Sequence, residues 1–434
     1  MKLVKLSLAA AIAASTLVSS ASAVAFEEAI KDVDLSGMAF VRYQNAKRSG
    51  EIGDGNWWKF KSVLTLKTKI DDNFFMLAGF QYGVEKEMSS SGTNNGYDVI
   101  GAASTNNGDT FKVTQALLGY NIGGTTVMVG RYKLGTFFTD DMLGTGVKVV
   151  NTDIQGLTLA ALWADALEND GDVLDGKPAW NNPVGQATKG TPKTYRAAII
   201  DATGRDVLSH NLYGVTAIGA YDPLSFQVWY ANLQDVADLF AVEAGLDFAV
   251  SDDVKFGVTG QFAFTKFDSD FKDQLGGAVA DSKFAAGQAS IEAFGFDASA
   301  GYVYYKAKND GNATDPSASL SSLDDNGQFI VAGKTLVADS GGTSYHAYAG
   351  KNDYWFVTAG YSIPGTGVRV GAEYLDGKFN GGTDAEFEAS EVVGSIGYKY
   401  NKKLNFTTWY SHVNYKPADM VDDDIVRVQA QYKF

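Results

Sequence analysis

The sequence predicts an all-β fold: a transmembrane antiparallel up-and-down β-barrel of about 18 strands, with short periplasmic turns and long external loops. Three observations predict it. Apolar and polar residues alternate with a period of two along nearly the whole chain, which sends successive side chains to opposite faces of an extended strand. The connections alternate as well, short turn then long polar loop, as in a meander whose two ends face different surroundings. Finally, the chain ends on a strand, "IVRVQAQYKF", whose last residue is aromatic.

The first residues carry Lys2 and Lys5, then an uncharged apolar stretch, then the small triplet Ala21-Ser22-Ala23. That order reads as a secretory signal peptide over residues 1–23, leaving 24–434 as the barrel. "AVA" at 23–25 offers a second cleavage point. A single N-terminal anchor helix is the other reading, against which the apolar core is short and Ser-rich near its end. The mature chain is expected to be exported.

Strands then follow from near Val33. In "WWKFKSVLTLKTKI" one parity holds Trp58, Phe60, Leu64, Leu66 and Ile70, the other Lys59, Lys61, Thr65, Lys67 and Lys69. "DLFAVEAGLDFAV" sets Phe240, Val242, Ala244, Leu246, Phe248 and Val250 against Glu243 and Asp247. "VKFGVTGQFAF" sets Val254, Phe256, Val258, Phe262 and Phe264 against Lys255, Thr259 and Gln261. "VRVGAEY" repeats the pattern, while in "LNFTTWYSHV" Trp409 falls on the polar parity. The closing strand sets Val426, Val428, Ala430, Tyr432 and Phe434 against Arg427, Gln429, Gln431 and Lys433.

Short turns are read at Asp71 to Asn73, Asn121 to Gly124, Gln155-Gly156, Asp222-Pro223, Ser251 to Asp253, Gly295-Phe296, Pro364 to Gly367 and Asn401 to Lys403. Long segments, among them 85–110, 165–209, 268–282, 308–352, 376–388 and 415–424, are read as external loops. Eight turns and nine loops join 18 strands and return both ends to the short-turn side. A soluble protein has no reason to sort its loops this way, and a barrel in an outer membrane does. Closure pairs every backbone donor and acceptor, which lipid cannot do. Tyr43, Trp58, Tyr82, Tyr120, Tyr221, Tyr230, Tyr361, Tyr398, Tyr410 and Tyr432 stand near strand ends, as interfacial girdles require. Phe434 resembles the sorting mark that outer-membrane assembly machinery recognises.

Past the leader, no stretch approaches the about 18 uncharged apolar residues of a spanning helix. The absence of cysteine excludes disulfides, thiolate metal sites and a cysteine nucleophile. A formal charge of −15 argues against nucleic acid as a partner. His210, His346 and His412 lack ligand spacing, and there is no G-x-S-x-G, Walker A or H-E-x-x-H motif. An enzyme is therefore not expected.

The acidic run Glu168, Asp170, Asp172, Asp175 lacks EF-hand spacing and reads as a solvated loop. "GTFFTDDMLGTGVK" follows the fifth strand and pairs two aromatics with two carboxylates. It has two readings: an external hairpin, or a loop folded into the lumen. If inward, Asp140 and Asp141 form an acidic constriction facing basic wall residues Arg42, Lys59, Lys61 and Arg131. Opposed charges across a narrow lumen would sort solutes by charge and size. At 16–18 strands the interior is too wide for side chains to fill, so a water-filled channel for small hydrophilic solutes is expected, made mildly cation-selective by the excess of carboxylates. A substrate-specific channel remains open, on the hint of Trp409 and the Tyr302-Val303-Tyr304-Tyr305 run, as does an adhesin acting through the 308–352 loop.

"MKLVKLSL", "FEEAIKDVDLSG", "GTGVKVVNTDIQGLTLAAL", "NLYGVTAIGAYD", "KLNFTTWYSHVNY" and "VRVQAQYKF" together resemble the Campylobacter major outer membrane protein family, from the leader to the last residue. The resemblance implies a homotrimeric, cation-preferring general diffusion porin with a loop folded into the lumen. It also implies calcium bound in the channel, for which Asp140 and Asp141 are the candidate ligands, with no cofactor required for conduction. The partners expected are outer-membrane lipid and lipopolysaccharide, the barrel assembly machinery, and small hydrophilic solutes and cations.

Overall fold

The computed structural model describes residues 33–47, 55–89, 110–168, 209–274, 279–307, 321–324, 326–337, 350–380, 386–416 and 422–434. The expected signal peptide and the acidic residues 170–175 lie outside them. Eighteen strands form one sheet. They are β1 (Val33–Lys47), β2 (Gly55–Lys69), β3 (Phe74–Ser89), β4 (Thr110–Ile122), β5 (Thr125–Lys133), β6 (Leu143–Asn151), β7 (Leu157–Glu168), β8 (Leu212–Tyr221) and β9 (Leu224–Leu233). The second half holds β10 (Ala237–Ser251), β11 (Val254–Phe267), β12 (Ser282–Ala293), β13 (Phe296–Ala307), β14 (Gly350–Ser362), β15 (Val368–Asn380), β16 (Glu386–Lys399), β17 (Leu404–Tyr415) and β18 (Asp423–Lys433). A six-residue helix, α1 (Ser269–Gln274), lies between β11 and β12.

Each strand pairs antiparallel with the next, and β18 pairs with β1 from Met38↔Lys433 to Lys47↔Asp424, so the sheet closes. The last residue completes the seam. Phe434 donates its backbone N–H to Gly37 O and accepts from Gly37 N, each at 3.0 Å. Gly37 has to be small here, because a Cβ would fall 2.2 Å from Val63 O and 3.0 Å from the Phe434 ring.

The alternation read from the sequence sorts the two faces. On β11, Phe256, Val258, Phe262 and Phe264 are exposed outward, while Gln261, Ala263 and Thr265 are buried inward. Outward aromatics pair across strands, Tyr43 with Trp58 (5.0 Å), Phe74 with Tyr120 (4.6 Å) and Phe296 with Tyr361 (4.2 Å), and Tyr432 stacks on Phe434 (5.8 Å) along the closing strand. Such pairs add to burial energy and mark the band's borders. Register slips between Gly79 and Phe80 and between Thr145 and Gly146 reverse the parity of β4 and β7 part-way along.

The short turns lie where the sequence placed them, built by local side-chain acceptors. Asp71 Oδ1 accepts from Asn73 N (2.8 Å) and Phe74 N (2.6 Å), and Asn401 Oδ1 accepts from Lys403 N and Leu404 N, both at 2.8 Å. One connection on the opposite side is short too. Residues 234–236 join β9 to β10 with Asp235 in the left-handed region (φ 59°) and Val236 N bonded to Leu233 O.

Candidate pore constriction

The connection between β5 and β6, 134–142, is too apolar for an exposed loop: Leu134, Phe137, Phe138 and Met142 are fully buried. Leu134 N donates to Met142 O (2.9 Å), Thr136 N to Thr139 Oγ1 (3.1 Å), and Lys148 Nζ to Leu134 O (2.8 Å). These bonds fold the segment into a compact turn. The carbonyls of Thr136, Phe137 and Phe138 accept from a stretch nearly two hundred residues away in sequence. Leu323 N donates to Phe138 O (2.7 Å), Gln328 N to Phe137 O (2.8 Å), and Gln328 Nε2 to Thr136 O (3.2 Å). The crossing is so close that a Cβ on Gly327 (φ +54°) would fall 2.5 Å from Phe137 O. The Phe137 ring meets Phe329 edge-on at 5.0 Å, and Phe329 meets Phe284 of β12 at 4.5 Å.

The partner stretch, 321–337, comes from the β13–β14 connection, which the sequence reading made wholly external. Its described part lies inside the barrel instead. It is bonded to inward-facing side chains of the wall, one strand after another. Ser321 bonds Ser282 of β12 (3.1 Å), Gln328 bonds Gln227 of β9 (3.2 Å), and Ile330 N donates to Gln261 Oε1 of β11 (2.7 Å). Lys334 Nζ reaches Glu373 Oε1 of β15 at 2.7 Å. Glu391 of β16 accepts backbone N–H groups from Lys334 (2.6 Å), Thr335 (2.9 Å) and Leu336 (3.0 Å), and the hydroxyl of Ser411 on β17 (2.7 Å). The apolar residues Leu323, Phe329, Ile330, Leu336 and Val337, buried here, were the available signal, since an external loop has no use for them.

The expected site residues divide as follows. Asp141 is held by Lys133 and by Lys61, whose Nζ lies 3.8 Å from Asp141 Oδ2, and Asp140 beside it is exposed. Lys61 shares the inward parity of β2 with Lys59, and Lys59 stands directly opposite Arg42 of β1. Arg42 donates from Nε to Gln429 Oε1 of β18 (2.7 Å). Arg131 stands apart. It lies opposite Ala116 and Thr145 and pairs with Glu168 at 2.5 Å, a carboxylate that Lys112 also holds at 2.9 Å.

Three residues were missed. Arg427 extends the basic wall to β18, donating to Gln44 Oε1 (2.8 Å) and lying 4.9 Å over the Trp409 ring. Its place on the polar parity of the last strand was the signal, and it explains why Trp409 shares that parity. Glu391 and Asp324 carried no motif. The Tyr302 to Tyr305 run does not form a lumenal track: Tyr302 is exposed on the outer face and Tyr305 is buried on the inner one.

Asp324 caps the crossing, accepting Asp141 N on Oδ2 at 3.0 Å. Burial pushes its carboxyl from 3.8 up to about 6, with the charges of Asp140 and Asp141 adding to the rise and the Asp141 N–H opposing it. The raised value means this packing is more stable with the proton bound, and loses that stability as pH rises from about 4 to about 6. The constriction gains one negative charge over the same interval. Selectivity is therefore expected to lie further toward anions at pH 5 than at pH 7.5, with a midpoint near 6. Reversal potentials across a pH series check this; a profile left unchanged by Asp324→Asn would count against it.

Calcium takes six to eight oxygen ligands. Among the described residues no three His, Asp or Glu side chains gather to hold a metal ion, and the Asp141 carboxylate is engaged by two lysines. With Asp141 held by its lysines, Asp140 and Asp141 alone do not fit a calcium ion.

A sequence model of the Campylobacter major outer membrane protein family matches residues 1–434, the whole chain. The chain belongs to that family. No curated protein matches the sequence. Among solved structures, Pseudomonas aeruginosa OccK8 (OprE) is similar with a TM-score of 0.66 at 16% identity, over 93% of this chain and 98% of that one. A BenF-like porin from Pseudomonas fluorescens Pf-5 gives 0.66 at 14%, over 93% and 99%, and Acinetobacter baumannii OccAB3 gives 0.64 at 14%, over 92% and 99%. At such identities the likeness shows the fold. Family and fold together make the chain an outer-membrane β-barrel of the porin kind.

Proposed function

We propose that the barrel is a general diffusion porin, a water-filled and mildly cation-selective channel for small hydrophilic solutes and ions. One observation carries this reading: the carboxylates of two inward segments, Asp140, Asp141 and Asp324, are set beside a basic wall of Arg42, Lys59, Lys61 and Arg427. The barrel brings these charges within a few side-chain lengths, where salt screens them little, whereas charges on the rim are screened beyond about 8 Å. The constriction should therefore set the preference.

In a planar bilayer under a salt gradient, Asp140→Asn with Asp141→Asn is expected to shift the reversal potential toward anions. A unit charge about 8 Å from the path in water contributes about 0.5 kcal/mol, a factor of about two per charge. Losing Asp141 adds to this, because it leaves Lys61 and Lys133 without their carboxylate. Glu386→Gln with Glu388→Gln, whose partners Lys378 and Lys416 share the outer face, should shift it little. Equal shifts from both pairs would return control to the mouth potential. Saturable uptake of one solute in liposome swelling would favour a substrate-specific channel.

A further inference from the structure

We propose that a row of lysines crossing the outer face of β11 to β14, at its external rim, binds the phosphates of the outer-leaflet glycolipid. The register makes the row. Lys283 of β12 lies directly opposite Lys306 of β13, and Lys306 lies directly opposite Lys351 of β14. Lys266 of β11 stands one outward position beyond Phe264, the residue opposite Lys283. All four point outward, since their neighbours Thr265, Phe267, Ser282, Phe284, Tyr305, Ala307 and Asn352 are buried on the inner face. All four sit at the long-loop ends of their strands. Below them the outer face turns apolar and aromatic at once, through Phe262, Phe264, Tyr302 and Trp355.

Like charges directly opposite each other weaken an antiparallel pair. Lys351 is answered by Asp353 at 2.6 Å and lies 5.8 Å over the Tyr304 ring. Lys266, Lys283 and Lys306 meet no carboxylate in an ion pair among the described residues, although the chain as a whole is acidic. Three adjacent ammonium groups call for an anion from outside. Their position names its source. They stand where the apolar band ends on the external side, at the depth of the headgroups, and the outer leaflet there is a glycolipid carrying phosphates on its sugar. Lysines on neighbouring strands, spaced by about 5 Å, can meet several oxygens of one such headgroup while its acyl chains lie on the aromatic band.

The test uses folded protein in detergent micelles, titrated with purified diphosphoryl lipid A, with its dephosphorylated form, and with phosphatidylglycerol, read by native mass spectrometry. Wild-type protein is expected to retain the diphosphoryl form over both others. The triple variant Lys266→Gln, Lys283→Gln, Lys306→Gln should lose about fivefold per charge and about a hundredfold in all. The triple arginine variant should keep binding, and both variants should keep wild-type conductance. Equal binding by the glutamine variant overturns the proposal. So does wild-type binding of the dephosphorylated form or of phosphatidylglycerol as tight as that of diphosphoryl lipid A, a comparison that needs no variant. Disulfide cross-links between copies carrying Lys283→Cys would also overturn it, by placing a second copy of the chain on this face.

Discussion

Replacing Glu391 with alanine is expected to free the 333–337 stretch from the wall and raise single-channel conductance, with added current noise. One carboxylate accepts from Lys334 N, Thr335 N, Leu336 N and Ser411 Oγ. Removing it strands these donors in a buried setting, at about 1–3 kcal/mol for each one left unpaired. Remaining in place would then cost more than moving to water, so the stretch should leave the wall. The strands themselves keep their ladder bonds with β15 and β17. Heat-modifiable mobility should therefore persist while conductance changes. Glu391→Gln keeps one acceptor oxygen and should fall between the two. Wild-type conductance and noise in the alanine variant would sink the idea that this carboxylate secures the segment.

Phe329→Ala is expected to widen the channel and blunt its selectivity together. The ring links Phe137 of the 134–142 segment to Phe284 of the wall, so its loss cuts the apolar tie between an inward loop and β12. Truncating a buried phenylalanine costs about 3–5 kcal/mol. Here that loss falls on two loops tied to each other and to single side chains of the wall, rather than on an 18-strand ladder. The loops should therefore yield first. Liposome swelling with sugars of graded size should show larger sugars passing, and the reversal potential should move toward zero as Asp141 loses its fixed position. Phe264→Ala, on the outer face, is the control and should alter neither. A size cut-off unchanged by Phe329→Ala would mean that the two segments do not limit passage.

The fold was legible because a barrel repeats one simple rule. Period-two alternation, Asx-type turns such as Asp71 and Asn401, and a terminal strand ending at Phe434 each act locally and leave their mark in neighbouring residues. The constriction was only half legible. The aromatic and acidic pairing in 134–142 pointed inward, but its partner stretch is held by Gln261, Glu373 and Glu391, each on a different strand. No spacing along the chain records such a meeting. Arg131 shows the other limit, because its type suggested a wall facing Asp140 and Asp141 while its carboxylate partner is Glu168 of β7, which it shares with Lys112.

The inward course of 321–337 also bears on the order of events in assembly. Every wall residue named as holding it belongs to β9, β11, β12, β15, β16 or β17, strands made before the seam partner β18. The segment can therefore dock while the sheet is still an open trough, with no need to thread a finished cylinder. Joining β1 to β18 spans nearly the whole chain, the most distant pairing in the molecule and so the slowest to find. A half-built barrel with its inner loop already seated presents a filled concave face during that wait. Much of the sticky surface such an intermediate would otherwise expose is already covered.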